Sequence, residues 1–181
     1  FTSTNARYYK KKMAAFLKKA NVVAVKSEFS KSLLIQYFKE NAGKIEVLHE
    51  HTDEMFTPAG LEEKTDTKSG YSDGKEYFLS AGSSNPRSNL VTLLKAFSFF
   101  KKRQRSNMLL LITGDPGEVF MKMLKTYKYR DEVRVLPDLT KEALAKLTAG
   151  AYAMVYPFFY EDAALSPLYA MQCGVPVITS H

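Results

Sequence analysis

One cysteine, Cys173, stands in a chain of 181 residues. No internal disulfide can form, and no Cys/His set has the spacing of a zinc site. A fold stapled by disulfides is excluded, and a reducing, cytoplasmic setting is expected. Cys173, in a helix ending MQCGVP, reads as simply buried. No run of eighteen apolar residues occurs, which excludes a membrane-crossing helix. The first residues are polar and lack the apolar core of a signal peptide, so Phe1 is not expected to be a native start. No aromatic-stacking RNA motif is present, and nucleic acid is not an expected partner. GDPG (114–117) is too short for a dinucleotide fingerprint and has no P-loop lysine, so it reads as a turn.

What the chain does have is enough apolar material for a real core: 45% hydrophobic residues against 25% charged. Lysine and arginine number 26 and acidic residues 19, a formal charge of +7. Such a balance favours anionic partners, whether phosphates, acidic lipids or nucleic acid, without choosing among them.

Periodicity gives the organisation. NARYYKKKMAAFLKKA (5–20) places Tyr9, Met13, Phe16, Leu17 and Ala20 at helical spacing, with lysines on the other face. A strand (22–26), a helix capped near Ser27 (27–38) and another strand (44–50) follow. Residues 59–76 have almost no apolar residues and read as a linker or exposed loop. The rhythm then restarts, with strands at 77–82, 108–114, 132–137, 151–157 and 175–180. Between them lie helices at 89–103, 118–129, 140–150 and 166–174, the last with Ser166 as N-cap and Pro167 at the first helical position. The strands are continuous apolar runs, as expected when helices cover both faces. Alternation of this kind predicts an α/β fold, a Rossmann-like parallel sheet flanked by helices. Ligands of such sheets sit beyond the carboxyl ends of the strands. The loops there are GSSNPR (82–87), GDPG, PDLT (137–140) and PFFYEDAAL (157–165). The chain stops on a strand, which reads as an incomplete lobe.

Two of these loops invite a phosphate reading. In GSSNPRSN, Gly82 allows a sharp turn, the helix start offers backbone N–H groups, and Arg87 adds a bidentate fork. The alternative is an ordinary loop with a solvated arginine. In EDAALSP (161–167), N–H groups near Ala164 and Leu165 precede a helix, and Glu161 has the chemistry to accept two sugar hydroxyls. Alternatively, Glu161 and Asp162 are solvated turn residues at a helix N-terminus. His49 and His51 alternate along a strand in HEHTD, a weak metal signal beside a hinge or loop role. The helix at 5–20 reads either as an ordinary surface helix or as a contact with an anionic membrane.

Taken in order, these stretches resemble the GT-B-fold glycosyltransferases of family 4, the glycosyl transferases group 1. ANVVAVKSEFSKSLL resembles the close of the family's first lobe. KIEVLHEHTDEMFTP, with Asp53, Phe56 and Pro58, resembles its crossing segment. YFLSAGSSNPRSNLVTLLKAF resembles its glycine-turn motif, and the stretch from VRVLPDL to VPVITS its block of two glutamates separated by seven residues. The resemblance implies that 1–58 ends the acceptor-side lobe and that 77–181 is the C-terminal, donor-binding lobe. It implies transfer from a nucleotide diphosphate sugar with retention and without a metal or other cofactor. The acceptor would be a carbohydrate or a lipid-linked glycan, and the pathway bacterial surface polysaccharide synthesis. Arg87 matches the diphosphate-holding arginine and Glu161 the glutamate that meets the donor sugar. Gly82, Ser83, Ser88, Pro137, Asp138, Ala164, Leu165 and Tyr169 complete the implied donor contacts.

The chain departs from the family at several of these positions. Ser88 replaces a lysine, Tyr169 replaces the ribose-holding glutamate, Asp162 and Ala164 replace glycines, and Pro137 replaces another glycine near the base. Two lost charged hydrogen bonds would cost about 3–6 kcal/mol, on the order of 10²- to 10⁴-fold in affinity. The family's acceptor side and first-lobe histidine are expected upstream of Phe1, so the chain alone is not expected to complete a transfer. The alternative is a non-catalytic GT-B-like protein that binds a partner, a lipid surface or a glycan.

Overall fold

The computed structural model describes residues 3–82, 86–136, 139–160 and 163–180. Two compact units are present, Phe1–His51 and Thr52–His181. The first holds α1 (Ser3–Lys19), β1 (Val23–Val25), α2 (Glu28–Phe38) and β2 (Ile45–Val47). β1 and β2 pair in parallel, with Val23 opposite Ile45. The expected cap is present: the Ser30 N–H donates to Ser27 Oγ at 3.1 Å. His49 and His51 fall after β2 rather than on a strand. Among the described residues, no group of three or more His, Cys, Asp or Glu is placed to hold a metal ion.

The second unit is built on five parallel strands: β3 (Tyr77–Ser80), β4 (Leu109–Thr113), β5 (Val133–Leu136), β6 (Ala153–Tyr156) and β7 (Val177–Thr179). Their spatial order is β5-β4-β3-β6-β7. Side chains alternate across a strand, so one apolar run can feed two cores. β4 does this. Leu109 and Leu111 enter one core with Leu79, Leu147 and Ala170, while Leu110 and Ile112 enter the other with Leu93, Phe97 and Phe120. The first core is covered by α3 (Leu61–Ser72), α6 (Lys141–Ala149) and α7 (Leu165–Gln172), the second by α4 (Leu90–Gln104) and α5 (Gly117–Lys125). Thr140 Oγ1 caps α6 by accepting from the Ala143 N–H at 3.2 Å.

Several expectations are corrected here. Residues 59–76 are no linker, because α3 occupies most of them. Its sequence lacks an apolar stripe. Glu62 and Glu63 in its first turn suit the positive end of the helix dipole. Thr67 and Ser72 are its buried residues, and Ser72 Oγ is satisfied by the carbonyls of Lys68 and Lys75. Packing against α6 and an Arg134 Nη1–Tyr71 carbonyl bond of 2.8 Å hold it, so tertiary contacts substitute for amphipathic pattern. The helix expected at 118–129 ends at Lys125. Beyond it, the Tyr127 hydroxyl turns back to donate to the Leu94 carbonyl at 2.7 Å. The last helix begins at Leu165, with Ala164 rather than Ser166 at the cap. Pro167 is therefore its third residue, where a missing N–H costs no helical bond.

Lys101 also differs from expectation. A lysine in the last turn of a helix is expected to face solvent and suit the dipole, yet its side chain points inward and is 3% exposed. Its Nζ bonds the Ser106 and Met108 carbonyls and pairs with Glu132 Oε1 at 2.8 Å.

Close packing at Gly150 supplies a test of the first core. A Cβ there would sit 2.8 Å from the Tyr77 hydroxyl and 3.2 Å from Thr67 Cγ2. The phenol is fully buried and donates to the Leu147 carbonyl at 2.6 Å, so it cannot swing aside. Gly150→Ala is expected to destabilise the chain by about 1–3 kcal/mol, read as a lower urea midpoint. An unchanged midpoint would contradict this packing.

Candidate functional site

The strand order reverses at β3. Strands β4 and β5 lie on one side of it and β6 and β7 on the other. The loop after β3 leads to α4 on one face, and the loop after β6 leads to α7 on the opposite face. Loops that diverge in this way open a crevice at the carboxyl ends of the strands. Two of the sequence-derived loops therefore meet at one place.

Gly82 turns the chain out of β3 with φ of 84°, a conformation that favours glycine. A Cβ there would lie 3.9 Å from both Phe158 Cζ and Ser166 Oγ, so the two loops run against each other. A 3-10 turn (Pro86–Ser88) carries Arg87 before α4 begins. The Phe159 N–H donates to the Arg87 carbonyl at 3.0 Å, lacing the β6 loop to the β3 loop. The Arg87 guanidinium lies 5.8 Å from the centroid of the Tyr160 ring. Phe158 stacks on Tyr156 at 4.0 Å. The aromatic run PFFY reads in sequence only as the start of the loop after a strand. Its roles as wall and lacing come from contacts with a distant loop, which no local pattern encodes.

The electrostatics favour an anion. α4 and α7 both start at the crevice, and neither has an acidic residue in its first turn or a side-chain cap. Their positive dipole ends are thus unneutralised from within. Arg87 is exposed and adds a full charge, whereas Ser88 is 3% exposed and adds none. Asn89 and Ala164 precede the two helices in left-handed conformation, with φ of 54° and 41°. Of the expected contacts, Gly82, Arg87, Ser88, Ala164 and Leu165 come together here. Ser83, Pro137, Asp138, Glu161 and Asp162 lie outside the described residues.

Tyr169 has a partner in the crossing segment. Its ring lies flat on Phe56, centroids 3.9 Å apart and planes 6° apart, and Phe56 is buried. One face of the ring is committed to this stack. By the observed helix start, Tyr169 is the fifth residue of α7, not the third. Beside it, Asp53 pairs with Lys141 and accepts from the Met55 N–H at 2.9 Å. The amide of Gln172 donates to the Asp53 carbonyl at 3.3 Å.

The Lys141 ammonium and the Met55 N–H hold the Asp53 carboxyl below its ordinary value of 3.8, and Asp53 raises Lys141 in turn. A carboxyl depressed in the folded chain stabilises it above the unfolded value, and that contribution disappears as pH falls through the folded value. Asp53→Asn is therefore expected to flatten the loss of stability below about pH 4. The comparison is of urea midpoints at successive acid pH values; parallel curves for the variant and the unaltered chain would contradict the pairing.

Comparison with known proteins places this geometry. The chain is 30% identical over 179 residues to the O-antigen chain mannosyltransferase B of Escherichia coli, a match covering 97% of this chain and 47% of that protein. It is 30% identical over 108 residues to the O-antigen chain mannosyltransferase RfbU of Salmonella typhimurium, covering 59% of this chain and 30% of that one. The chain thus spans at most about half the length of these curated relatives. Its fold matches Anabaena Alr3699/HepE in complex with UDP-glucose, with a TM-score of 0.82 at 15% identity over 99% of this chain and 49% of that one. It also matches the sucrose-phosphate synthase of Thermosynechococcus elongatus, with a TM-score of 0.80 at 22% identity over 99% and 46%. These likenesses show the fold, that of GT-B glycosyltransferases. Residues 62–181, well over half the chain and all but the first strand-helix pairs and crossing segment, match the family described as Glycosyl transferases group 1, and the chain belongs to that family.

Proposed function

We propose that this chain is the donor-binding part of a glycosyltransferase that moves a sugar from a nucleotide diphosphate sugar to a glycan acceptor, with retention at the anomeric carbon. The observation that carries it is the crevice at the strand-order reversal, where Arg87 and two uncapped helix starts converge. A diphosphate leaving group gathers negative charge as the glycosidic bond breaks. Fixed positive groups aimed at that charge lower the barrier. Arg87 neutralises the leaving diphosphate, the amides near Leu90 and Leu165 add dipole stabilisation, and Glu161 orients the sugar. Ser83, Pro137 and Asp138 complete the donor contacts in this reading. No metal or other cofactor is assigned.

The curated relatives are named for O-antigen chains and mannose, which supports a mannosyl donor and a polysaccharide acceptor, free or lipid-linked. Placement in the cytoplasm belongs to the same proposal. So does contact with an anionic membrane through α1, which exposes Tyr9, Met13 and Phe16 beside its lysines. Among the described residues, no helix is long and apolar enough to cross a membrane.

A second reading, a non-catalytic GT-B-like binding protein, draws on the buried Ser88 and the stacked Tyr169. Calorimetric titration with UDP, GDP and ADP separates the two. Saturable binding of one nucleotide supports the donor site and identifies its base. Absence of heat with all three would favour the second reading.

A further inference from the structure

We propose that Tyr169 is a positioning residue, a clasp that fixes the aim of α7 at the crevice rather than a contact to the ligand. This rests on reading the crevice as a nucleotide diphosphate site. α7 is eight residues long, too short to hold an orientation by its own helical bonds. Its first turn presents the amides near Leu165 to the crevice, while only Pro167 and Ala170 are buried beneath it. α7 packs on α6, β6 and β7, and the segment at 53–56 adds two side-chain ties to it. Tyr169 and Gln172 are three residues apart and so share a helix face. The Tyr169 ring lies on Phe56, and the Gln172 amide holds the Asp53 carbonyl.

The segment is itself tied down. Asp53 pairs with Lys141 at the first residue of α6, and its carboxylate and carbonyl accept from the N–H groups of Met55 and Phe56. The segment thus bridges α6 and α7, which also pack on each other, with the aromatic pair as its link to α7. Loss of that link frees α7 to tilt, and a dipole aimed away from a phosphate loses its effect steeply. The stack needs the ring and not the hydroxyl. Position 169 therefore tolerates phenylalanine but not a carboxylate, whose chain would leave Phe56 bare and stand beside Asp53.

The test is calorimetric affinity for UDP and GDP in four variants. Tyr169→Phe is expected to bind within about twofold of the unaltered chain. Tyr169→Ala, Phe56→Ala and Tyr169→Glu are each expected to weaken binding about two- to tenfold, the range an aromatic pair spans. The double variant Tyr169→Ala/Phe56→Ala is expected to be no worse than either single one, because one link is broken once. If Tyr169→Phe loses as much as Tyr169→Ala, the hydroxyl is a ligand contact and the proposal is overturned. If Tyr169→Ala lowers the melting temperature but leaves affinity unchanged, the stack is structural only, and the proposal is again overturned.

Amide hydrogen exchange reads the clasp without a ligand. Tyr169→Ala is expected to speed exchange across 165–173 and Tyr169→Phe to leave it unchanged. No acceleration overturns the clasp. Absence of nucleotide binding by the unaltered chain would instead count against the donor-site reading.

Discussion

Arg87→Ala is expected to weaken binding of a nucleoside diphosphate by about tenfold to a hundredfold. A hydrogen bond to a charged group contributes roughly 1.5–3 kcal/mol, and each 1.4 kcal/mol is about tenfold in affinity. Arg87 stands exposed, so screening draws the effect toward the lower end at physiological salt. The loss should therefore grow as salt is lowered. Arg87→Lys keeps the charge but not the planar fork, and should fall between the two. Calorimetry with UDP and GDP at two salt concentrations reads both effects. Equal affinity for Arg87→Ala and the unaltered chain would remove Arg87 from the site.

The effect of Arg87 is amplified by what surrounds it. The first turns of α4 and α7 carry no acidic residue to offset its charge. Ser88 is buried beside it and supplies no second cation. In the proposed site Arg87 supplies the cationic side chain, with the rest of the favourable field supplied by backbone dipoles.

Lys101→Ala is expected to have the largest effect on stability, a loss of about 2–3 kcal/mol once solvent screening of Glu132 is allowed for. Its ammonium is buried, bonds two carbonyls and pairs with Glu132. The second oxygen of Glu132 is buried with no hydrogen-bond partner. Removing the lysine would leave a buried carboxylate oxygen without its counter-charge, although the Glu132 side chain as a whole is 34% exposed. The energetic weight lies in that stranded group rather than in the attraction itself. Lys101→Met/Glu132→Gln, which removes both charges and keeps the shapes, is expected to recover much of the loss. Urea denaturation of the single and double variants decides this. A double variant as unstable as Lys101→Ala would show that packing, not charge, sets the cost.

Much of this architecture was legible in the sequence, for reasons that differ by element. The run MLLLITG could only be a strand covered on both faces, and β4 feeds two cores. The spacing of Leu90, Leu93, Leu94 and Phe97 fixed the buried face of α4. Polar α3 was not legible, because its buried residues are Thr67 and Ser72 and its helicity comes from its neighbours. The inward turn of Lys101 was hidden for a related reason. A lysine at a helix end satisfies the dipole rule in either direction, and only the position of Glu132 decides it.

The site divides in the same way. Gly82, Arg87, Ala164 and Leu165 follow from alternation of strands and helices, which places their loops at the same edge of the sheet. The Phe56–Tyr169 stack joins residues far apart in the chain, and a list of family positions assigns Tyr169 to the ligand instead. Identity at a position gave the expected role; the structure adds the partner across the fold.

The bond from the Phe159 N–H to the Arg87 carbonyl reaches beyond local packing. It ties the two lips of the crevice together at one point. A guest that engages the β3 side meets a β6 side already set at a defined height. Little ordering at that seam is then left to the moment of association, which favours slow release over slow capture. Any substitution that shifts one lip is transmitted to the other through a peptide group that side-chain mutagenesis cannot delete, short of proline at position 159.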